Sequence, residues 1–292
     1  MTGEPATILR VTAPNPGPLT GRGTNTWIFG DGQAAVIDPG PDDQAHLERV
    51  LAAASTVGPV VLVLCTHHHQ DHLEGARRLC RMTSAPLAAH FRLAGGGADL
   101  PLHDRDRLLA GRAELLALAT PGHSQDHVCF YDESSGVLFT GDHVLQGSSS
   151  VIDPPDGDMS QYLASLELVR ALGPSRLLPG HGEPLAPAGP AISQVIQHRL
   201  EREGQILGLL RSGPATAAAL VPTIYRDYPE EVLGLAQRTV LAHLIKLEQE
   251  GRVGRLAADP GEAPRFFLGQ GGLQPASDHL PGEVGEGPGH NP

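Results

Sequence analysis

The chain has 292 residues, 40% of them hydrophobic and 18% charged, so it is long enough to form one large domain or a large and a small one. Its formal net charge of -12 argues against a protein that holds nucleic acid mainly by neutralising phosphates, because such proteins are basic. Three cysteines without a CxxC pair predict reduced thiols, and residues 1–10 lack the apolar run of a signal peptide, so we expect a cytoplasmic protein.

Short strands and helices alternate over the first 190 residues. Strands are predicted at 7–12, 26–29 and 34–38, followed by a helix that ends near residue 54. The continuous apolar run at 60–65 predicts a strand buried on both faces and is too short to cross a bilayer. The other predicted elements here are helices at 73–82 and 159–172, the latter with Asp158 as N-cap, and strands at 87–90, 114–119, 128–131, 137–140 and 176–178.

The pattern changes at residue 191, where longer helices begin. Helices are predicted at 191–211, 215–225 and 229–250, and strands at 252–256 and 265–268 would form a hairpin. Three helices followed by a hairpin are the outline of a winged-helix module. We therefore predict a catalytic domain at 1–190, a long helix plus winged-helix-like domain at 191–270, and a disordered tail at 271–292.

The segment that carries the strongest chemical signal follows the best predicted strand directly. It reads THHHQDH and supplies four potential metal ligands within six residues: His67, His69, Asp71 and His72. Imidazole is the commonest nitrogen ligand for zinc, and carboxylate is a good partner for it. His67 and His69 are two residues apart, so on an extended strand end they point the same way, and His68 points elsewhere.

Three further motifs place one histidine or aspartate at a glycine-bearing turn after a short apolar stretch. These are PGHS with His123, TGDH with Asp142 and PGHG with His181. A single PGH motif would be weak evidence. Two of them together with TGD, in this order after HxHxDH, form a specific pattern for a metal centre without thiolate ligands.

These residues resemble the metallo-β-lactamase superfamily over about residues 15–200. The resemblance implies an α/β fold of the αββα sandwich type, with metals at the edge where the ligand loops converge. It also implies a dinuclear zinc hydrolase whose metals lower the pKa of a shared water, while Asp71 orients this nucleophile or carries a proton. The implied ligands are His67, His69 and His123 for one zinc, Asp71, His72 and His181 for the second, and Asp142 as the bridge.

Additional segments, including NPG at residue 15 and GHGEP at residue 180, resemble the β-lactamase-like-protein-2 group. Animal members of that group are endoribonucleases that cut single-stranded RNA, which makes an RNA phosphodiester one candidate substrate. The group also borders on glyoxalase II-like thioesterases, so a small thioester or ester is the alternative. A mononuclear iron persulfide dioxygenase on the same ligands, and a transcription factor with a degenerate enzyme domain, are further hypotheses.

Other residues carry weaker expectations. Asn25, His143 and His198 are candidate substrate contacts, although each could equally serve the local structure. The predicted winged helix has nearly balanced charge, so we expect no duplex DNA partner. Leu241, Leu244 and Leu247 form an apolar stripe that we expect to pack on the catalytic domain or on a second subunit, which would make the protein a homodimer.

Overall fold

Two mixed β-sheets form the N-terminal part of the computed structural model, which describes residues 5–93, 97–147, 149–257 and 261–269. The first sheet has six strands in the order β1 (Thr7–Thr12), β2 (Asn25–Gly30), β3 (Ala34–Ile37), β4 (Val60–Leu64), β5 (Leu87–His90) and β6 (Leu100–Leu102). The second has five, in the order β11 (Arg176–Pro179), β10 (Val137–Gly141), β9 (Val128–Asp132), β8 (Ala113–Ala119) and β7 (Arg107–Ala110).

The two sheets pack face to face through aromatic side chains. Alternate residues of a strand face opposite sides, so Trp27 and Phe29 of β2 point to the second sheet while Ile28 points away from it. Their ring centroids lie 6.1 Å and 5.9 Å from that of Phe139 on β10, in edge-to-face geometry. The core between the sheets is therefore continuous.

Helices cover the outer faces of both sheets and complete the sandwich. On the first sheet lie α1 (Gln44–Ala54), the short α2 (Gln70–Leu73) and α3 (Ala76–Thr83). On the second sheet lie α4 (Met159–Leu172) and the first half of α5 (Ala188–Leu210). The predicted αββα architecture is confirmed, and no helix among the described residues is long and apolar enough to span a membrane.

Strand directions bring the motif residues to one edge of the sandwich. Strands β3, β4, β5 and β6 are mutually parallel, so the residues that follow them meet at one edge. In the second sheet β10 and β11 are parallel, and β8 runs with them because β9 is antiparallel to both β8 and β10. The turns with His123, Asp142 and His181 follow β8, β10 and β11.

Helix α4 begins and ends as predicted. The Asp158 carboxylate accepts a hydrogen bond from the Gln161 backbone N–H at 2.9 Å, and Gly173 ends the helix in the left-handed conformation, with φ of 64°. We expect Asp158→Ala to lower the free energy of unfolding by about 1 kcal/mol, because this N–H loses its acceptor. Urea unfolding measures the change. Asp158→Asn keeps an acceptor and should stay near wild type, so equal losses in both variants would contradict the capping role.

The C-terminal part has the winged-helix outline. After α5 come α6 (Ala217–Ile224), a 3-10 turn (Glu230–Val232), α7 (Leu233–Gln249) and a sheet in the order β12 (Ala215–Thr216), β14 (Arg265–Leu268) and β13 (Val253–Arg255). Helix α5 belongs to two cores, because its Ile192 packs with the second sheet and its Ile206 with α6 and α7. The domain boundary near residue 190 stays a prediction, and the tail at 271–292 lies outside the described residues.

Some sequence expectations need correction. The apolar stripe of α7 packs inside the winged-helix module, where Leu244 and Leu247 are fully buried with Phe266, because α5, α6 and β14 close over it. It therefore does not pack on the catalytic domain, as one alternative had it, and the homodimer stays a prediction. The predicted helix at 73–82 is divided into α2 and α3. The strands β6, β7 and β12 have only three, four and two residues and are too short for detection by pattern.

Candidate metal centre

Three imidazole nitrogens converge at the edge of the sandwich. His69 Nδ1 lies 2.9 Å from His67 Nε2 and 3.0 Å from His123 Nε2. Around a tetrahedral zinc ion, nitrogens at 2.0–2.1 Å from the metal are about 3.4 Å apart. The three nitrogens are therefore spaced so that a small shift would let them share one metal ion.

Neighbouring groups determine which nitrogen of two of these rings is free. The Val151 carbonyl oxygen lies 2.7 Å from His123 Nδ1 and can only accept, so Nδ1 carries the hydrogen and Nε2 keeps its lone pair. The Thr66 hydroxyl donates to Asp38 and therefore accepts from His67 Nδ1, at 2.9 Å. Burial, together with the nearby histidines, also lowers the pKa of His67 well below its ordinary value and that of His69 to about 4, which keeps both rings neutral for a metal.

A second group of ligands lies beside the first. His72 Nε2 and His181 Nε2 lie 3.4 Å and 3.2 Å from Asp71 Oδ2. Burial alone would lower the pKa of His181, but Asp142 and Asp71 raise it to about 9. In the metal-free protein, protons on the two imidazoles compensate the carboxylates, and a bound cation would replace those protons.

Asp142 joins the two groups. Its Oδ2 lies 3.7 Å from His123 Nε2, and its Oδ1 lies 3.4 Å from both His72 Nε2 and His181 Nε2. The residue is only 9% exposed. Burial would raise the pKa of the carboxyl group, but His72 and His181 hold it well below the ordinary value, so Asp142 is ionised. One carboxylate oxygen is thus directed at each group.

The donor set fits two metal ions. Within the described part of the chain, His72 Nε2 and Asp142 Oδ1 are buried without a hydrogen-bond partner, although buried polar atoms are nearly always paired. Two metal-sized clusters contain all seven predicted ligands. The structure therefore brings together every residue that the sequence predicted for the centre, although their binding of metal stays a proposal.

Asp38 is a residue of the candidate centre that the sequence interpretation missed. It follows β3 with a φ of 52°, and its carboxylate accepts from the Thr66 N–H at 2.8 Å, the Thr66 hydroxyl at 2.9 Å and His72 Nδ1 at 2.9 Å. It orients His72 directly and His67 through Thr66. The available signal was an aspartate at the end of a buried strand, at the same edge as HxHxDH.

Asp38→Asn should weaken metal binding. The amide NH₂ of asparagine cannot accept a hydrogen bond, so at least one of the donors on Thr66 and His72 loses its partner, and the imidazole ring that it orients is less well fixed. Loss of such a partner of a ligand histidine typically lowers metal affinity about 10–100-fold. A zinc titration against a chromophoric chelator measures this. Asp31→Asn, at an exposed ion pair with Arg112, is the control. Equal affinity in both variants would refute the role of Asp38.

The candidate substrate contacts Asn25 and His143 are both buried in the structure. Asn25 is buried, and its amide donates to the carbonyls of Pro179 and Gly182 while its oxygen accepts from Thr12, so it holds the loop of His181 and has no free donor for a substrate. His143 is fully buried behind Asp142, where no solvent reaches it. These positions favour a structural role for both residues, and their contact with substrate stays a prediction.

His198 lies on α5, between Ser149 Oγ at 3.3 Å and Arg202 Nη2 at 3.2 Å. Both contacts lie outside the two ligand groups. Its predicted contact with substrate stays a prediction.

Sequence comparison agrees with this geometry. The model of the metallo-beta-lactamase superfamily matches residues 19–181, and the model of the beta-lactamase associated winged helix domain matches residues 216–260. The chain belongs to the metallo-beta-lactamase superfamily. It is a hydrolase of that superfamily with a candidate metal site.

Relatives resemble this superfamily member over most of their length. The beta-lactamase-like protein 2 homolog of Drosophila melanogaster is 30% identical over 275 residues, or 85% of this chain and 90% of the relative. The atrochrysone carboxyl ACP thioesterase of Aspergillus fumigatus is 30% identical over 241 residues, or 77% and 75%. A beta-lactamase domain protein from Burkholderia ambifaria shares the fold, with a TM-score of 0.78 and 23% identity over 89% of this chain and 91% of that one.

Proposed function

We propose that the protein is a dinuclear zinc hydrolase. The observation that carries this proposal is the orientation of the Asp142 carboxylate, whose two oxygens face two separate ligand groups. His67, His69 and His123 would hold one metal, Asp71, His72 and His181 the other, and Asp142 would contact both. When bound, zinc would polarise the substrate and make a water nucleophilic at neutral pH.

Asp71 is suited to act on the nucleophile. Its side chain is 29% exposed, whereas the imidazoles of His72 and His181 are nearly inaccessible, so it borders the open side of the centre. The Thr24 hydroxyl donates to Asp71 Oδ2 at 3.2 Å and fixes the carboxylate plane. Asp71 would orient the attacking water and accept its proton.

Single-stranded RNA is the substrate that we place first. At the same edge as the metal centre, Phe91 after β5 stacks on His103 after β6, with ring centroids 5.0 Å apart and an interplanar angle of 11°. The Arg92 guanidinium lies 5.4 Å from the centroid of the Phe91 ring. Phe91 is 51% exposed. Exposed aromatic rings with an arginine are typical contacts of unpaired bases. The Drosophila relative carries the name of the β-lactamase-like-protein-2 group, and it is the resemblance to this group that implies an RNA substrate.

A carboxylic thioester is the second candidate. The Aspergillus fumigatus relative named a thioesterase is as similar in sequence as the Drosophila protein, although over a shorter alignment. The charge of -12 also favours a small substrate over a long polyanion. Because the chemistry at the metals is the same for an ester carbonyl and a phosphodiester, the ligand set cannot separate the two.

A hydrolysis panel tests both candidates. Zinc-loaded wild type and Asp71→Ala are compared on a short single-stranded RNA, bis(p-nitrophenyl) phosphate, an acyl-glutathione thioester and a β-lactam. We expect RNA cleavage that falls by about 10²–10³-fold in Asp71→Ala, in line with a lost general base and ligand. Phe91→Ala should slow only the RNA reaction. A preference for the thioester would select the second candidate, and inertness towards all four would overturn the proposal.

A further inference from the structure

Residues 150–153, here called the bridging segment, connect the metal centre with the C-terminal helices. On the side of the centre, the Ser150 hydroxyl donates to the Asp142 carbonyl at 2.5 Å. The next residue, Val151, accepts the hydrogen bond from His123 Nδ1 at 2.7 Å. Two adjacent residues of the segment thus hold the backbone of the proposed bridging aspartate and the ring of one imidazole ligand.

On its other side the bridging segment is held by α5 and α7. The Ser150 carbonyl accepts from Arg199 Nη2 of α5 at 2.6 Å. The Ile152 backbone N–H donates to the Thr239 hydroxyl of α7 at 3.2 Å. At the end of the segment, the Asp153 carboxylate pairs with Arg238 of α7.

Arg199 is an unusual residue for this position. It is 1% exposed, and its guanidinium lies 5.3 Å from the ring centroid of Tyr162 in the catalytic domain. Burying a guanidinium is costly unless hydrogen bonds compensate it, so an apolar side chain would satisfy packing alone at lower cost. The bond to Ser150 supplies a function for the charge, because it fixes the backbone that orients Asp142 and His123.

We propose that Arg199 and Thr239 are positioning residues, through which the C-terminal helices fix the geometry of the metal ligands. This inference rests on the proposed metal centre. The winged-helix module then supports the active site through two chains of hydrogen bonds. In the first, Arg199 holds Ser150, which holds Asp142. In the second, Thr239 holds Ile152, whose neighbour Val151 holds His123. Loss of either support loosens a ligand without removing it.

Arg202 provides a matched control on the same helix. It is 7% exposed, lies 4.4 Å from the ring centroid of Tyr225, and donates to the Ile224 carbonyl at 2.8 Å. Its burial, aromatic contact and bond to a carbonyl resemble those of Arg199. Its carbonyl partner, however, belongs to α6 within the C-terminal module, whereas that of Arg199 belongs to the bridging segment.

The test compares Arg199→Met with Arg202→Met in the full chain. Zinc affinity is measured by competition with a chromophoric chelator, and the ligand geometry by the visible spectrum of the cobalt-substituted protein. Both variants should unfold more easily. Only Arg199→Met should bind zinc at least about tenfold more weakly and shift the cobalt bands, and it should lower kcat more than it raises KM. Arg199→Lys, which keeps a donor, should recover part of the affinity.

Two further measurements keep the test decisive. If Arg199→Met does not fold, Thr239→Val, which removes one hydroxyl at nearly constant volume, carries the same expectation against wild type. Equal zinc affinities and cobalt spectra in the Arg199 and Arg202 variants, or an unchanged Thr239→Val, would overturn this inference alone. A wild-type chain that binds no zinc would instead overturn the proposed metal centre.

Discussion

Asp142→Ala is expected to abolish measurable hydrolysis and to leave at most one tightly bound zinc per chain. Among the residues that the structure describes, the Asp142 carboxylate is the group that faces both ligand clusters, so its loss removes a ligand from each at once. We expect kcat/KM to fall by at least about 10³-fold, which corresponds to about 4 kcal/mol of transition-state stabilisation. Metal analysis and initial rates on the best substrate of the panel measure the two effects.

A buried aspartate elsewhere separates this effect from a loss of fold. Asp132 is buried at the end of β9, where its carboxylate caps the turn through Ser134 and Ser135. Asp132→Ala should destabilise the protein yet keep two zincs and its activity. Retention of substantial hydrolysis in Asp142→Ala would contradict the two-metal mechanism and would favour the hypothesis that the cluster is not catalytic, as in a degenerate enzyme domain.

Removal of metal is expected to have the largest effect on stability. A ligand at 1,000 times its dissociation constant stabilises the folded state by about 4 kcal/mol, so two such sites contribute roughly 8 kcal/mol. At about 2–4 °C per kcal/mol for a domain of this size, Tm should fall by roughly 15–30 °C in excess chelator. Without metal, the partly exposed Asp71 carboxylate and the buried Asp142 carboxylate depend on protonated His72 and His181 for compensation.

Calorimetry with stepwise return of zinc checks this expectation. The Tm and the hydrolytic activity should recover together as metal is added. Asp158→Ala, which lowers stability without touching the centre, should show the same chelator-induced shift as wild type. A Tm that does not change on chelation would mean that the folded chain holds no metal.

The candidate ligands could be picked out from the sequence because each belongs to a local motif at the end of a strand. HxHxDH and the turns with His123, Asp142 and His181 carry both the ligand and the glycine or strand that positions it. Gly180 shows why: a Cβ there would lie 2.6 Å from His72 Cε1 and 2.8 Å from Asp142 Oδ1, so the PGH turn needs glycine for a close approach.

The groups that orient the ligands could not be predicted in the same way. Asp38, Arg199 and Thr239 contact residues that lie 28 to 87 positions away in the chain, which no local pattern encodes. Asn25 is predicted to contact substrate because it follows a polar loop, but its three hydrogen bonds join β2 to Thr12 and to the loop of His181. Only the tertiary contacts of a polar residue near the centre show whether it is free to bind substrate or holds the protein structure together.

A zinc titration of the metal-free chain, followed by hydrolysis of its best substrate, tests the two-metal centre most directly. If Asp142 joins two sites, activity should rise with added zinc and level off at two equivalents per chain. Full activity at one equivalent, full activity without zinc, or activity that only iron restores would contradict a dinuclear zinc hydrolase.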